Sequence, residues 1–402
     1  METLRALRHR AFAWVWTGQT ISRLGDSLYR IAMAWWVLEK TGSATAMGTV
    51  MIFSMTPLVL FLLIGGVVVD RLPRMRVMLV ADILSGITVM SVALLAASSL
   101  LQVWHIYLAS FVFGAVEAFF FPAYQAVLPE LVPAEALPSA NSLSTLSRHV
   151  TGIIGPGIGA WLVAVGGTPF AFGLDSVSFL ISAACLVPFV RLPAPLEGKP
   201  RAHPLADLRE GLNLVLGTPW LWVTIGIFSL INITLTGPLQ VAMPFLIKEN
   251  LHAEVGTLGL FTSSIAVGAV ISALWLGRLR RFRRRGISLY LATLFLGVTV
   301  ALTGVLGSVV PIAASLLVFG LADSVIGLVW MQSLQEIVPG DKLGRVSSLD
   351  ALGSWAFIPL GYALAGVLTD RMGAPVVFIA GGLATIALVG VALLHPRVRG
   401  FD

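Results

Sequence analysis

Among the ionisable residues inside long apolar stretches of the chain, five have side chains that could carry protons or bind a charged group. Asp26 and Arg30 are four residues apart, a spacing that puts both on one face of a helix. Glu117 and Asp323 fall near the middle of other apolar stretches, and Arg148 lies part-way along one. A charge at mid-span costs roughly 2.5–3.5 kcal/mol on insertion scales, so each group needs a partner or a water-filled cavity. We interpret these residues as candidates for proton coupling.

The sequence leaves two interpretations of these charges open. Asp26 could pair with Arg30 or Arg23 in internal salt bridges that only hold helices together. Alternatively, a carboxyl group could exchange a proton for substrate, since a buried acid near a cation can be poised to release its proton at working pH. Glu117 has no basic residue near it on its own stretch, which makes it the first candidate for the proton carrier. In one conformation, Arg148 would compete with the proton for the carboxylate of Glu117.

The composition indicates a membrane protein with many spans. Hydrophobic residues make up 57% of the 402 positions, charged residues make up 11%, and the mean hydropathy is +0.91. A soluble fold carries about 25% charged residues and could not hide so much apolar surface. A spanning helix needs roughly 20 mostly apolar residues. We place twelve spans at about 11–38, 43–69, 76–98, 103–127, 138–165, 169–190, 219–247, 255–279, 287–308, 311–334, 344–369 and 374–394.

The basic residues predict the orientation of these spans. Six arginines and no acid lie between Leu276 and Gly286. Of the 26 Lys and Arg residues, twenty fall in segments on that same side, three fall on the opposite side and three fall inside spans. Because cationic loops stay in the cytoplasm, we expect a multi-pass protein of the inner (cytoplasmic) membrane with both termini cytoplasmic. The same asymmetry explains the net charge of +6 without a nucleic-acid partner.

The chain divides into two similar halves. A polar interruption at about 191–218 begins with four prolines and continues as an amphipathic pattern that favours a helix on the membrane surface. A shift of 206 positions superposes Glu130 on Glu336 and Gly155 on Gly361. Such a parallel repeat is typical of transporters. The predicted domains are an N-terminal bundle at 1–192, a cytoplasmic linker at 193–218 and a C-terminal bundle at 219–402.

The loop after the second span contains the pattern Gly66-x-x-x-Asp70-Arg71-x-x-Arg74. A glycine here lets two helices approach closely. Asp70, at a helix end, could pair with a basic residue or lie at the N-terminus of a neighbouring helix, where an anion is favoured. The arginines would anchor at lipid headgroups. These four residues are therefore expected at the cytoplasmic end of the second span.

The fifth span contains three glycines and a proline in close succession, at Gly152, Gly155, Pro156 and Gly159. The glycines permit a tight helix crossing and the proline bends the helix. Close packing alone would explain the run.

Both patterns resemble signatures of the major facilitator superfamily. The loop is similar to its G-x-x-x-D-[RK]-x-x-R signature, with Pro73 where the family usually has glycine. The run in the fifth span resembles the antiporter motif G-P-x-x-G-G, with Ala160 in place of the last glycine. The resemblance extends to the drug-efflux branch that holds macrolide exporters and enterobactin exporters. It implies an all-α membrane protein with twelve transmembrane helices in two pseudo-symmetric six-helix bundles. It also implies a cytoplasmic gate at Gly66, Asp70, Arg71 and Arg74.

The same resemblance implies a function. We expect a secondary active transporter that exports hydrophobic or amphiphilic small molecules, such as macrolides and other drugs, in exchange for protons by alternating access. The alternative is a siderophore exporter or a lysophospholipid transporter of the same fold. The expected partners are a small-molecule substrate, protons and the lipid bilayer. The sequence leaves the oligomeric state open, with a monomer as the simplest expectation.

The predicted substrate cavity combines aromatic and amide side chains near mid-span. Large aromatic groups with sparse polar groups suit an amphiphilic organic substrate. The candidates are Trp35, Phe120, Tyr124, Asn232, Gln240, Trp330, Gln332 and Trp355.

No pattern in the sequence indicates an enzyme. It contains no H-E-x-x-H motif, no carboxylate cluster at metal-binding spacing and no G-x-x-x-x-G-K-[ST] loop for ATP. Its single cysteine, Cys185, allows no internal disulfide and no zinc cluster. We predict no catalytic residue, no metal and no cofactor.

Overall fold

The structure, a computed structural model, describes residues 2–69, 71–190, 212–276 and 284–394. Within these ranges the chain is helical and contains no β-strand. The main helices are α1 (Arg10–Thr41), α2 (Ala44–Val69), α3 (Arg74–Ala97), α4 (Val103–Leu131), α5 (Leu137–Leu186), α6 (Pro219–Gly237), α7 (Val255–Leu276), α8 (Arg285–Val305), α9 (Val309–Ile337), α10 (Gly340–Trp355), α11 (Ile358–Met372) and α12 (Ala374–Leu394). The described chain is therefore all-α, as the predicted spans and the family resemblance imply.

The helices are long enough to account for the predicted spans. Ten segments of the described chain have the length and apolarity to cross a membrane. One of them, Ala134–Phe189, has 56 residues. It turns at Gly167, where φ is 74°, so it holds two spans. α1 has 32 residues and is also of spanning length, although it carries Arg23, Asp26 and Arg30. This set is consistent with twelve spans.

The chain forms two compact units. The first comprises Met1–Gly42, Thr49–Glu197 and Glu254–Ser263, and the second comprises Ser43–Gly48, Gly198–Ala253 and Ser264–Asp402. The first residues of α2 therefore belong to the second unit, and the first residues of α7 belong to the first unit. The predicted division into 1–192, 193–218 and 219–402 stays a prediction, because most of its linker lies outside the described residues.

In the first unit, α1 packs closely against both arms of α5. A Cβ atom at Gly18 would lie 2.9 Å from the Cβ of Cys185, and a Cβ atom at Gly155 would lie 2.6 Å from the Cβ of Ser27. Real Cβ contacts are longer, so these positions accept only glycine without a shift of the helices. Small residues permit the same close approach in membrane helices generally, because van der Waals packing drives their association.

In the second unit, glycines play the same part between other helices. A Cβ atom at Gly297 of α8 would lie 2.9 Å from the carbonyl oxygen of Gly382 in α12. A Cβ atom at Gly237 of α6 would lie 2.6 Å from the carbonyl oxygen of Gly361 in α11. The hydroxyl groups of Thr234 and Thr385 share a hydrogen bond of 2.7 Å.

Two prolines explain why the structure departs from the predicted spans. The span predicted as a continuous helix at 344–369 is interrupted between Trp355 and Ile358, directly before Pro359. The span predicted at 219–247 changes to π-helical turns at Pro238–Ala242 and Leu246–Asn250. Proline has no backbone N–H to donate to the preceding turn, so a regular helix cannot continue through it unchanged.

Three predicted features lie wholly or mainly outside the described residues. These are Asp70 of the predicted gate, the linker up to residue 211 with most of its amphipathic pattern, and the arginine-rich loop at 277–283. Residues 212–217 at the end of the linker are helical.

Candidate functional site

The first unit contains a partly open cavity of about 480 Å³, lined by both polar and apolar side chains. It lies among α1, α3, α4 and both arms of α5, and α1 supplies more of its polar lining residues than any other helix. The residues that line it are Gln19, Ser22, Arg23, Asp26, Ser27, Arg30, Ala81, Asp82, Ser85, Phe113, Val116, Glu117, Phe120, Phe121, Tyr124, Gln125, Arg148, Thr151, Gly152 and Phe179. The structure thus brings four of the five predicted proton-coupling residues, Asp26, Arg30, Glu117 and Arg148, to one cavity.

One face of α1 supplies the centre of this site. Gln19, Arg23, Asp26 and Arg30 follow one another at intervals of three or four residues, so a regular helix presents them in one row. The charges of Arg23 and Arg30 interact with the carboxyl group of Asp26. The row combines one acid with two permanent cations.

The arginines of this row are held by polar and aromatic groups. Arg23 donates a hydrogen bond to the hydroxyl of Ser147 at 3.2 Å, and its guanidinium lies 4.9 Å from the centre of the Tyr124 ring. Arg30 donates to the hydroxyl of Ser27 at 3.1 Å. A cation over an aromatic face is attracted by the ring electrons. Tyr124 therefore fixes Arg23 in the cavity wall.

The carboxyl groups of Asp26 and Glu117 face the cavity without a close ion pair. In the described ranges, neither has a basic nitrogen within 4.0 Å. Glu117, on α4, nevertheless interacts with the charges of Asp26, Arg23 and Arg30. The locking salt bridges of the alternative interpretation are therefore not formed here. Two acids that can meet cavity water, next to fixed cations, are suited to proton exchange.

Asp82 belongs to the site although the sequence did not identify it as a candidate. Its Oδ2 accepts hydrogen bonds from Gln19 Nε2 at 3.3 Å and from Ser182 Oγ at 2.7 Å, and Gln19 also donates to Ser182 at 2.7 Å. Asp82 is 2% exposed. It ties α3 to α1 and to the second arm of α5 at the edge of the cavity. The amide of Gln19, one turn before Arg23, is the sequence signal that could have indicated this polar network.

Asp323 lies apart from these residues. It is on α9, in the second unit, and its side chain is exposed at the surface of that unit. Its predicted role in proton coupling stays a prediction.

The antiporter-like run lies at the crossing of α1 and α5. Gly152 lines the cavity. A Cβ atom at Gly159 would lie 3.1 Å from the Cα of Leu28. Pro156 is buried, and its carbonyl oxygen would lie 2.7 Å from a Cβ atom at Gly259 of α7. The run therefore brings α1 against the cavity-forming part of α5, as close packing predicts.

Only part of the predicted gate is described. Arg74, at the start of α3, forms an ion pair with Glu130 and donates a hydrogen bond to the carbonyl of Ala126 at 3.2 Å, both at the end of α4. Arg71 is exposed. Space is open around Gly66, so the expected close helix contact is not made there. The neighbouring Gly65 makes it instead, because a Cβ atom at that position would overlap the carbonyl of Ala118.

The predicted substrate-cavity residues of the first unit separate into two groups. Phe120 and Tyr124 line the cavity and stack with their ring centres 6.2 Å apart. Trp35 lies away from the cavity lining, is 7% exposed, and donates a hydrogen bond to Glu39 at 2.9 Å. Phe113, Phe121 and Phe179 add aromatic surface that the sequence did not select.

The candidates of the second unit are mostly held by hydrogen bonds. Asn232 donates to the carbonyl of Ser354 at 2.9 Å, Trp330 donates to Asp350 at 2.8 Å, and Gln332 donates to Glu336 at 3.0 Å. Gln240 is exposed on a π-helical turn and Trp355 is half-buried at the end of α10. The bonds of Asn232 and Trp330 tie α6 and α9 to α10, whereas the bond of Gln332 lies within α9.

The described residues contain no group of three or more His, Cys, Asp or Glu side chains that could hold a metal ion.

Comparison with known proteins identifies the family. A family model of the major facilitator type, described as "Transmembrane secretion effector", matches residues 1–302, and the model described as "Major Facilitator Superfamily" matches residues 229–400. The chain belongs to the major facilitator superfamily. This member of the superfamily is therefore a multi-pass membrane protein and a transporter of small molecules, as its predicted fold implies.

Curated relatives of this transporter cover almost all of its length. Enterobactin exporter EntS from Shigella boydii serotype 18 is 30% identical over 397 residues, which are 97% of this chain and 92% of that protein. Enterobactin exporter EntS from Escherichia coli O1:K1 / APEC is 29% identical with the same coverage.

Solved structures share the fold at low sequence identity. A POT family transporter in complex with a thioalcohol conjugated peptide has a TM-score of 0.74 and 13% identity, over 97% of this chain and 96% of that chain. A bacterial homologue of the iron transporter ferroportin in the inward-facing state has a TM-score of 0.72 and 17% identity, over 95% and 98%. These similarities support the fold class alone.

Proposed function

We propose that this transporter exports amphiphilic small molecules in exchange for protons, by alternating access. The observation that carries the proposal is the cavity of the first unit, where Asp26 and Glu117 face Arg23, Arg30 and Arg148. Carboxyl groups in a membrane interior are costly and are typical of proton relays and ion pathways. Asp323 is a secondary candidate for proton coupling, in the second unit.

The chemistry of the cavity favours a substrate with both polar and aromatic parts. Five aromatic rings contribute to its lining, together with hydroxyl, amide and guanidinium groups. Ligand sites of this kind take their affinity from apolar surface and their specificity from a few placed polar groups. The full-length similarity to enterobactin exporters supports a siderophore-like substrate. Efflux of macrolides or other drugs is the second candidate, since the aromatic wall suits them as well.

The decisive experiment is transport by the purified protein in proteoliposomes with an imposed pH gradient. Enterobactin and the macrolide erythromycin are the two probes. We expect gradient-driven movement of at least one probe, abolished when a protonophore dissipates the gradient. Transport that persists at the same rate without a gradient would remove the proton-exchange claim, and movement of neither probe would remove both substrate proposals.

We also propose that this transporter lies in the inner membrane with both termini in the cytoplasm. Asp70, Arg71 and Arg74 would then form a cytoplasmic gate. The distribution of basic residues supports this orientation. Single cysteines introduced in a Cys185→Ser background test it with a membrane-impermeant thiol reagent. Ser99→Cys, between α3 and α4, should be labelled from outside intact cells, and Leu72→Cys, between α2 and α3, should be labelled only after lysis. The reverse pattern would invert the orientation.

A further inference from the structure

Four polar side chains meet at one edge of the cavity of the first unit, between α1 and α3. Gln19 and Ser22 are three residues apart on α1, and Asp82 and Ser85 are three residues apart on α3, so each pair shares one helix face. The hydrogen bond of 3.3 Å from Gln19 to Asp82 joins the two pairs. All four residues line the cavity, although none is more than 4% exposed. We call them the α1–α3 cluster.

Each member of the α1–α3 cluster has an oxygen atom that no described residue satisfies. Gln19 donates from its Nε2 to both Asp82 Oδ2 and Ser182 Oγ, so its Oε1 is left to accept a bond elsewhere. Asp82 accepts both of its hydrogen bonds on Oδ2, which leaves Oδ1. The hydroxyl groups of Ser22 and Ser85 make no hydrogen bond within the described part of the chain. Because buried polar atoms need partners, these four oxygens call for an occupant in the cavity.

The carboxyl group of Asp82 has no cation beside it. In the described ranges no basic nitrogen lies within 4.0 Å of it, and the charges that interact with it are those of two acids, Asp26 and Glu117. Arg23 follows one turn later on α1, but its guanidinium is held over the ring of Tyr124. A buried carboxylate without a partner is costly, so it takes up a proton or coordinates a cation.

The neutral oxygens of the cluster distinguish between these two occupants. A proton needs only the carboxyl group, whereas a hard cation needs several oxygen ligands around it. Gln19, Ser22 and Ser85 supply such oxygens next to Asp82. The cluster therefore favours a cation over a proton.

We propose that the α1–α3 cluster binds a sodium ion, with cavity water completing the coordination. The protein ligands are Oδ1 of Asp82, Oε1 of Gln19 and the hydroxyl oxygens of Ser22 and Ser85. One carboxylate balances one positive charge, which suits a monovalent cation, whereas calcium takes roughly six to eight oxygens. A set with one acid is also compatible with the lack, among the described residues, of any group of three His, Cys, Asp or Glu side chains.

The sodium site extends the proposed function without resting on it. A sodium ion at Asp82 places a positive charge near Asp26 and Glu117, whose charges interact with that of Asp82. Such a charge favours the ionised forms of both acids. The ion itself can bind whether or not these acids exchange protons.

Equilibrium binding of radiolabelled sodium to the purified full-length protein in lipid nanodiscs tests the site. The buffer contains choline chloride as the other salt, at one fixed pH. We expect saturable binding that unlabelled sodium chloride displaces and choline chloride does not. Asp82→Asn should weaken it about tenfold or more, because the one formal negative charge of the site is lost. Ser85→Ala should weaken it about threefold, because one neutral ligand is lost.

Ser91→Ala is the matched control on the same helix. Ser91 is exposed, lies outside the cavity lining, and donates to the carbonyl of Ile87 in its own helix at 2.9 Å. We expect this variant to bind sodium as the wild type does.

The outcomes separate this inference from the proposed function. Absence of saturable sodium binding to the wild type would overturn the site even if gradient-driven transport is intact. Binding that Asp82→Asn leaves unchanged, or that Glu117→Gln weakens more than Asp82→Asn does, would also overturn it. Displacement by calcium chloride at lower concentrations than by sodium chloride would overturn the assignment to a monovalent ion.

The serine variants keep the proposal testable if Asp82→Asn does not fold. Weaker binding in both Ser22→Ala and Ser85→Ala, with none of this loss in Ser91→Ala, supports the site even if neither transport probe is moved. Wild-type affinity in both Ser22→Ala and Ser85→Ala would overturn it.

Discussion

The two units of this transporter use their polar residues in different ways. In the first unit, Asp26, Arg30, Glu117 and Arg148 line one cavity, and the two carboxyl groups have no basic nitrogen within 4.0 Å among the described residues. In the second unit, several polar side chains are tied across helices by hydrogen bonds. Trp330 donates to Asp350 at 2.8 Å, for example.

This difference indicates where the chemistry lies. A polar group that is tied to a neighbour across helices contributes to packing and is slow to exchange its proton. A charged group that faces an accessible cavity can exchange protons and bind ligand. The repeat relates the two halves in sequence, yet four of the five charged candidates line the cavity of the first unit, and Asp323 is the one candidate in the second. Substitutions of acidic residues in the first unit should therefore affect transport more than similar substitutions in the second unit.

The largest expected effect is on transport by the first unit. Asp26→Asn or Glu117→Gln should lower the rate of gradient-driven efflux about tenfold or more. This corresponds to an increase of at least about 1.4 kcal/mol in the activation free energy of transport. Asp323→Asn in the second unit should lower the rate less than about twofold. Glu135→Gln, at an exposed acid outside the cavity, is the matched control. Initial rates in proteoliposomes measure all four. Equal losses in Asp26→Asn and Asp323→Asn would erase the distinction between the units.

The next effect concerns the crossing of α1 and α5 beneath the cavity. Gly155→Ala should destabilise the protein by about 1–3 kcal/mol, because the added methyl group meets the Cβ of Ser27 and overpacks the contact. Gly173→Ala, on the second arm of α5, is the control, since nothing lies within 4 Å of a Cβ atom there. Thermal unfolding in detergent compares them. A Gly155→Ala protein as stable as Gly173→Ala would show that the crossing is loose.

A smaller effect is expected where the second unit holds the start of α2. Asp370 accepts hydrogen bonds from the backbone N–H groups of Ala44 at 2.6 Å and Thr45 at 2.9 Å, and from the hydroxyl of Ser43 at 2.9 Å. Asp370→Ala should cost about 1 kcal/mol of stability, as loss of a helix cap does. Arg371→Gln, at the exposed neighbouring residue, should not. Unchanged unfolding of Asp370→Ala would mean that this cap adds nothing.

The smallest effect concerns whether hydrogen bonds between the helices of the second unit stabilise the protein. A double-mutant cycle of Trp330→Phe and Asp350→Asn should give a coupling of about 1 kcal/mol, the range for a hydrogen bond to a charged or polar partner. Both single variants should retain gradient-driven transport. Strict additivity of the unfolding energies would remove the tie, and loss of transport in either variant would assign the pair a functional role.

Part of this arrangement could be predicted from the sequence. Long apolar runs identified the spans, and the cost of a charge in lipid singled out Asp26, Glu117 and Arg148. Helical spacing placed Asp26 and Arg30 on one face, and the structure has both on the cavity. These predictions hold because they depend on local spacing and on the penalty for each single residue.

The sequence did not predict which other residues face the cavity, because that depends on how each helix is rotated about its axis. A span that is apolar all round gives no signal for which side faces a neighbour. Asp82 and Asp175 were therefore not selected as candidates, although Asp82 lines the cavity and the carboxyl group of Asp175 lies against α1 next to Asp26. Trp35 lay in the right span but points away from the cavity lining. Such assignments need the packing of at least three helices, which no single stretch of sequence contains.

The most direct test of the central claim compares two kinds of transport by Glu117→Gln in the same proteoliposomes. One is exchange of labelled for unlabelled probe, enterobactin or erythromycin, without a pH gradient. The other is uphill movement driven by a gradient. If Glu117 carries the proton, the variant should exchange probe at close to the wild-type rate and fail to move it uphill. Uphill movement by Glu117→Gln at the wild-type rate would contradict the proposed role of the first unit.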